Sequence, residues 1–538
     1  MQRQDREQAN SGKVLHCDCF LAGHWATANE AYGPLDETRL TFLDARQIPD
    51  GTELAPDLAI VGGGPAGITL ALALANAPMK MLLLESGGMD FDAATQALYA
   101  GQESGVSYIP LDATRLRYLG GGTNHWGGWS RPLDEIDFEK RDWLPFSGWP
   151  FSRQELEPYL LRAQGLIEAG PFLYDKLAAR ELPGALLPLG EGGVHTSFFQ
   201  FSQWRGNTEH LPTAFGHRYA EDLKRIPNLQ LILHANVTAL RPAQDVRWID
   251  HLDVATLSGR RFTVKPRHIV LACGGIENAR LLLASNDLVA AGIGNQNDLV
   301  GRFFADHALP RDTATLVTFG GEIAGFYKAT KDAQGAHFRA TLSPTENFRR
   351  QRQLLGALIT VENRVTLDAV GQAAVTTTAQ ALGADAGDAH AYSLGVGLEL
   401  APDPERRLTL STARDALGMP RLNIKMTISD ADFARYREVL FELGRQLLQA
   451  KSGMLRIDRH TRDEWLQAMD WGNHHLGTTR MHDDPKQGVV DTNAQVHGLA
   501  NLFVAGSSIF PTYSASNPTL NLVALTLRLA DHLKGIFR

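Results

Sequence analysis

The residues best placed to do chemistry fall in three groups along the chain. The first is Gly62-x-Gly64-x-x-Gly67 with Glu85, 18 residues past the last glycine. Gly62 would allow a tight turn out of a strand, Gly64 a close approach of backbone to a pyrophosphate, and Gly67 the packing of a helix on that strand. The helix N-terminus would then aim its unpaired N–H groups at phosphates, and the Glu85 carboxylate would take ribose hydroxyls. This is dinucleotide chemistry, and the motif does not choose between NAD and FAD. The second group is Gly120-Gly121-Gly-Thr123-Asn124-His125-Trp126-Gly-Gly128, five glycines in nine positions. A backbone so bare can press closely on a flat ligand, with a tight surface loop as the plain alternative. The third is His474-His475-Leu-Gly477-Thr478, followed by Gly506-Ser507 and Ser516-Asn517-Pro518-Thr519; His474 and Asn517 stand 43 residues apart. A histidine in a Gly/Thr-rich turn suits a general base, because its ordinary pKa is near neutrality.

Those groups need elements to hold them. Leu58-Ala-Ile-Val61 reads as a buried parallel strand and Ile68 to Ala77 as a helix ended by Pro78. Met81 to Leu84 reads as a second strand, closed by Glu85, so the first motif sits in a complete βαβ unit. Residues 100–150, dense in Gly, Trp and Pro, read as functional loop. Helices are expected over Gln154–Ala169, Asn278–Ser285, Asp430–Ala450 and Thr519–Leu533, and strands within 229–240 and 262–272 and at Asn501–Val504. Alternating segments and turn signals over 311–428 suggest a mostly antiparallel sheet.

Composition narrows the class. The chain has 538 residues, 44% hydrophobic and 21% charged, which excludes disorder, coiled coil and collagen-like architecture. A net charge of −8 argues against a large nucleic-acid footprint. The three cysteines, Cys17, Cys19 and Cys273, cannot form a disulfide framework for a chain of this size. Cys17 and Cys19 beside His16 lack a second ligand pair and read as packing or solvent-side residues, so no metal site is expected. The N-terminus mixes charges of both signs without an apolar core; no secretory signal is expected, and the location expected is cytoplasmic. The most apolar stretch, Ile68 to Leu84, is broken by Asn76, Pro78 and Lys80, so no membrane span is expected.

Together the three blocks, with Asn297-x-x-Val-Gly301-Arg and Asp306-His307 between them, resemble the glucose–methanol–choline (GMC) family of FAD-dependent oxidoreductases from about Asp57 to Leu533. The closing block and the Asn-His-Trp loop are most similar to the pyranose 2-oxidase branch and related bacterial sugar and glycoside dehydrogenases or oxidases. The resemblance implies an α/β fold: a discontinuous Rossmann-type FAD-binding domain (56–135, 225–310 and 470–538) and a substrate domain with a mostly antiparallel sheet (136–224 and 311–469), after an N-terminal extension (1–55). It implies FAD as cofactor, held by Gly62, Gly64, Gly67, Glu85, Gly121, Thr123, Asn124, His125, Val237, Gly506, Ser507, Pro518 and Thr519. His125 matches the histidine that carries FAD covalently in pyranose oxidases; related enzymes keep the loop without the bond, and both states stay open. His474 and Asn517 match the catalytic pair, with His475 adjacent but off the pattern.

The reaction implied is oxidation of a secondary alcohol, a sugar or glycoside ring hydroxyl, to a ketone by hydride transfer to flavin N5 with His474 as base. A lyase that binds FAD without net oxidation and a non-catalytic flavoprotein subunit are the alternatives. Some bacterial members carry a mid-chain cysteine cluster for an iron–sulfur centre; Cys273 alone cannot form one. The partners expected are therefore a small alcohol or sugar and an acceptor that is oxygen, a quinone or a separate redox protein.

Overall fold

Leu58–Val61 is apolar at every position, a pattern that only a strand covered on both faces can use. In the computed structural model, which describes residues 42–174, 182, 184–203, 211–332 and 335–538, this strand lies inside a six-stranded parallel sheet. The order across the sheet is Phe42–Asp44, Leu229–Leu233, Met81–Leu84, Leu58–Val61, His268–Leu271 and Leu502–Val504. All four residues of both Leu58–Val61 and Met81–Leu84 are buried. The chain leaves Leu58–Val61 toward one side of the sheet and returns on the other. Such a switch point leaves a crevice beyond the C-terminal strand ends, and Gly62 opens directly into it. The strands at 42–44 and 53–54 show that the end of the expected N-terminal extension is built into sheets.

The helix expected over 68–77 runs instead from Pro65 to Ala73. It starts earlier because Gly64 takes an extended N-cap conformation and Pro65, with its fixed φ, fills the first helical position. It stops earlier because the Asn228 side-chain amide gathers the carbonyls of Leu74, Ala77 and Met79 at 3.3, 3.0 and 3.0 Å, turning that segment out of the helix. Among the described residues, a ten-stranded sheet, antiparallel throughout, carries the residues of 129–130, 194–201, 308–318, 330–331, 337–344, 357–364, 390–398, 453–457 and 469–471. The region 311–428 also holds two helices beyond the sheet reading, Glu346–Arg352 and Ala369–Leu382. Each is opened by a side-chain cap, from Thr345 and Asp368. A four-stranded and a three-stranded sheet complete the strand set.

Three more of the expected helices form. Gly274–Ala284 follows the strand His268–Leu271. Asp430–Gln449 begins with a capping box from Ser429 and Asp432. Pro518–Ile536 packs against both Arg153–Leu166 and Pro65–Ala73. No helix among the described residues is long and apolar enough to cross a membrane. His16, Cys17 and Cys19 lie outside the described residues. Cys273 is a free thiol, and burial pushes it up to about 12, far from the range of a nucleophile.

Candidate active site

One continuous cavity begins at the C-terminal ends of the parallel strands and runs to the closing block. Its wall contains Gly62, Gly64, Glu85, Gly121, Thr123, His125, Val237, Gly506, Ser507, Pro518 and Thr519, together with His474 and Asn517. Two expected site residues are not on the wall. Gly67 packs instead against the turn: a Cβ on it would lie 1.9 Å from the Gly62 carbonyl oxygen. Asn124 donates its side-chain amide to the Leu119 carbonyl at 2.9 Å, bracing the glycine-rich turn. That turn rests on the βα loop, with the Gly120 N–H donating to Gly63 at 2.8 Å.

At the strand end of the cavity, Glu85 is buried and accepts the backbone N–H groups of Gly63 and Gly87, both at 2.7 Å. Composition and motif reading missed a cationic wall nearby. The Arg115 and Arg117 guanidiniums lie 3.8 and 4.7 Å from the Tyr99 ring centre and pair with Glu277 at 3.0 and 3.4 Å. Burial would raise the Glu277 carboxyl, but Arg280, Arg115 and Arg117 hold it down at about 2.

At the other end, the imidazole of His474 stands between two side chains. Its Nε2 is 3.2 Å from the Asn517 amide nitrogen, and its Nδ1 is 2.8 Å from Nδ1 of His307. Asn517 is the N-cap residue of the closing helix, yet its side chain makes no cap hydrogen bond and reaches His474 instead. Asp306 organises the backbone here. Its Oδ1 accepts the N–H groups of His307 and His474 at 2.7 and 2.8 Å, and its Oδ2 accepts the Tyr108 hydroxyl at 2.5 Å. Burial pushes Asp306 up to about 7, against these donors, which favour the carboxylate. Asp306, His307 and His474 hold potential ligand atoms within 4.8 Å of one another. The Nδ1 atoms of both histidines and both Asp306 oxygens are engaged in the hydrogen bonds just described. Burial, then the neighbouring His307 and His475, hold His474 well below the usual histidine range. His475, expected off the pattern, also lies on the cavity wall, stacked near Phe304 with ring centres 6.0 Å apart and its Nε2 without a partner.

Comparison with known proteins fits this geometry. Residues 402–526 match the GMC oxidoreductase family, and residues 57–289 match the FAD dependent oxidoreductase family. The chain carries a GMC oxidoreductase C-terminal domain and an FAD-dependent oxidoreductase domain. It is 26% identical to the fructose dehydrogenase large subunit of Gluconobacter japonicus, over 89% of this chain and 97% of the relative. It is 32% identical to a C-glycoside 3-oxidase of Microbacterium trichothecenolyticum over a shorter stretch, 26% of this chain and 27% of the relative. The structure of pyridoxine 4-oxidase from Mesorbium loti shares the fold, with a TM-score of 0.53 and 20% identity over 88% of this chain and 98% of that one.

As an oxidoreductase built from these two domains the protein uses FAD, and the cavity suits that group on its own evidence. The helix at Pro65 has no side-chain cap, so its first N–H groups are free toward the cavity. Gly64 has open space where a Cβ would stand, leaving room for a diphosphate against the backbone. Arg115 and Arg117 add positive charge to the same wall.

The residues that sequence reading did not single out as a unit, Tyr108, Asp306 and His307, come from segments some 200 positions apart in the case of Tyr108 and Asp306. The Asp-His dipeptide was the available signal. The electrostatics of this site set a pH expectation. A histidine held below its ordinary range stays neutral through mild acid, so with His474 as the base the acid limb of kcat/KM should lie below the ordinary value of about 6.5. A pH series of anaerobic flavin reduction under substrate-limited conditions checks this. A limb centred at or above the ordinary histidine value would contradict it.

Proposed function

We propose that the protein oxidises a secondary alcohol, a ring hydroxyl of a sugar or glycoside, to the ketone, with His474 as base and Asn517 as orienting group. The observation that carries this reading is the pairing of His474 Nε2 with the Asn517 amide, 3.2 Å apart, on the wall of the cavity that fits FAD. The names of the relatives, a fructose dehydrogenase large subunit and a C-glycoside 3-oxidase, support a carbohydrate substrate. In this reading FAD, when bound, supplies the two-electron acceptor for the hydride leaving the carbinol carbon. His474 takes the hydroxyl proton on Nε2. Asn517 donates to the substrate oxygen and holds the C–H in line, a contribution of position rather than proton transfer. The FAD-binding part is then assembled from 56–135, 225–310 and 470–538, and the substrate faces 136–224 and 311–469. The acceptor of the flavin's electrons is then oxygen, a quinone or a separate redox protein.

Mixing the holoenzyme anaerobically with a panel of sugars, glycosides, polyols and simple alcohols tests the reading. Bleaching of the flavin by a sugar or glycoside, with the ketone as product, is expected. Turnover of a panel member without bleaching would favour the lyase alternative, and inertness toward every member would favour a non-catalytic flavoprotein.

His125 lies on the same wall in the Thr123-Asn124-His125-Trp126 segment, and we propose it as the attachment point for the flavin. Acid precipitation should then leave flavin in the protein pellet, and His125→Ala should release it to the supernatant. Wild-type protein that releases all its flavin would show that His125 only walls the site.

A further inference from the structure

His307 and His474 meet through the same ring atom, Nδ1 to Nδ1, at 2.8 Å. Two lone pairs cannot face each other at that distance, and neither can two N–H groups, so one ring donates and the other accepts. The far side of His307 decides which. Its Nε2 lies 2.9 Å from the Ser514 carbonyl oxygen, which can only accept, so the proton of a neutral His307 sits on Nε2. Burial holds His307 at about 4, so the ring is neutral at ordinary pH. Its Nδ1 is therefore an acceptor. The proton of His474 must then sit on its Nδ1, and the Nε2 lone pair is left facing Asn517 and the cavity.

We propose that His307 is the positioning residue that fixes the tautomer of His474, reading the backbone carbonyl of Ser514 and presenting one acceptor to the base. The proposal rests on His474 being the base. It concerns which nitrogen is available, not which residue reacts.

The surroundings are built to keep this arrangement. Asp306 clamps the backbone N–H groups of both histidines, which sets their spacing. Gly472 leaves room for the His474 ring to turn toward His307: a Cβ on it would stand 2.7 Å from His474 Nδ1. Ser514 sits in the left-handed region at φ 53°. Its neighbour Tyr513 donates its N–H to Glu399 at 3.2 Å and stacks edge-on against His307 with centres 5.0 Å apart. A side chain on Gly356 would meet Ser514 Oγ at 2.4 Å, so the segment presenting the carbonyl is pressed from behind. The opposite tautomer would turn the bare Nε2 of His307 toward the Ser514 oxygen, lone pair against lone pair. The hydrogen bond also survives catalysis. When His474 accepts a proton on Nε2, its Nδ1–H still points at His307, and nothing in the chain has to rotate.

Two variants and one spectroscopic measurement test this. His307→Leu keeps bulk and removes the acceptor. His307→Asn can offer a side-chain oxygen near the same position. The expected result is a loss of about 10- to 100-fold in the limiting rate of flavin reduction for His307→Leu, the size of effect when an imidazole loses the partner that orients it. KM should stay near wild type, and His307→Asn should recover most of the rate. In holoenzyme labelled with 15N-histidine, His474, assigned by its absence in His474→Ala, should show a protonated Nδ1 and a bare Nε2. Mixed tautomers are expected in His307→Leu. A wild-type His474 protonated on Nε2 overturns the proposal, and so does a His307→Leu protein with an unchanged tautomer or rate. If His307→Leu does not fold, the wild-type spectrum still decides. A His474→Ala protein that reduces at the wild-type rate would sink the base reading instead, whatever the tautomer.

Discussion

Replacing His474 with alanine should slow flavin reduction by about 10²- to 10⁴-fold, the usual contribution of a general base, while leaving bound FAD in place. The two halves of that expectation have different structural grounds. The imidazole contacts His307 and Asn517, not the glycine loop or Glu85, so its loss leaves the nucleotide end of the cavity untouched. The rate falls because the neighbouring imidazole cannot take its role: His307 offers its one lone pair to His474 and its N–H to Ser514. Asn517→Ala should slow reduction less, since it removes a hydrogen bond and not the proton acceptor. His475→Ala is informative because that ring also reaches the cavity wall, with burial, Arg115 and His125 holding it at about 3. Its effect should be smaller than that of His474→Ala. The measurement is the anaerobic reduction rate at saturating substrate, beside the flavin-to-protein ratio. A reversed order, with His475→Ala dead and His474→Ala active, would move the base by one residue.

Gly67→Ala should abolish FAD binding and destabilise or prevent folding. The added methyl would lie 1.9 Å from the Gly62 carbonyl oxygen, well inside any contact a real Cβ makes. Gly62 cannot retreat. Its N–H is bound to Leu84 at 2.8 Å, its φ of 107° belongs to glycine, and a Cβ there would already strike the Ala272 carbonyl at 2.6 Å. The helix Pro65–Ala73 must therefore lift off the strand, costing about 1–3 kcal/mol or more for overpacking and removing the N-terminus from the phosphates. Gly64→Ala is the contrasting variant. Nothing stands within 4 Å of its Cβ position, so the fold should be kept and only ligand affinity lost. Thermal unfolding of both apoproteins and flavin absorbance after incubation with FAD separate the two cases. A yellow Gly67→Ala protein of wild-type stability would refute the packing argument.

The nucleotide end of the cavity was legible in the sequence because its interactions are local. Gly62, Gly67 and Glu85 act within one βαβ unit, where turn, helix start and strand end impose spacing on the residues. The strands Leu58–Val61 and Met81–Leu84 were legible for a related reason: burial on both faces leaves an unbroken apolar run. His474 and Asn517 could be read through motif order, since each sits in a short, composition-biased turn. What could not be read depends on contacts between distant segments. Nothing in the letters around Tyr108 shows that its hydroxyl reaches Asp306, or that His307 turns its ring toward His474. Asn124 belongs to the same class, since whether it faces the cavity or braces Leu119 is settled by the fold of the turn. The early end of the first helix follows from Asn228, a residue on the far side of the next strand in sequence.

The sixth strand of the parallel sheet, Leu502–Val504, and the helix Pro518–Ile536 that covers Pro65–Ala73 have a consequence for the order in which the molecule can be made. On a ribosome, the glycine turn and its two flanking strands emerge early. Their neighbour His268–Leu271 then waits with one edge bare until more than two hundred further residues have been added. Until that point the nascent chain exposes an apolar strand edge and an uncovered helix face, the surfaces on which partly made proteins associate. Because His474 and Asn517 arrive in the same late stretch, the cofactor cavity and its catalytic end close together. A product cut short before Leu502 should therefore be an aggregation-prone fragment rather than an inactive flavoprotein.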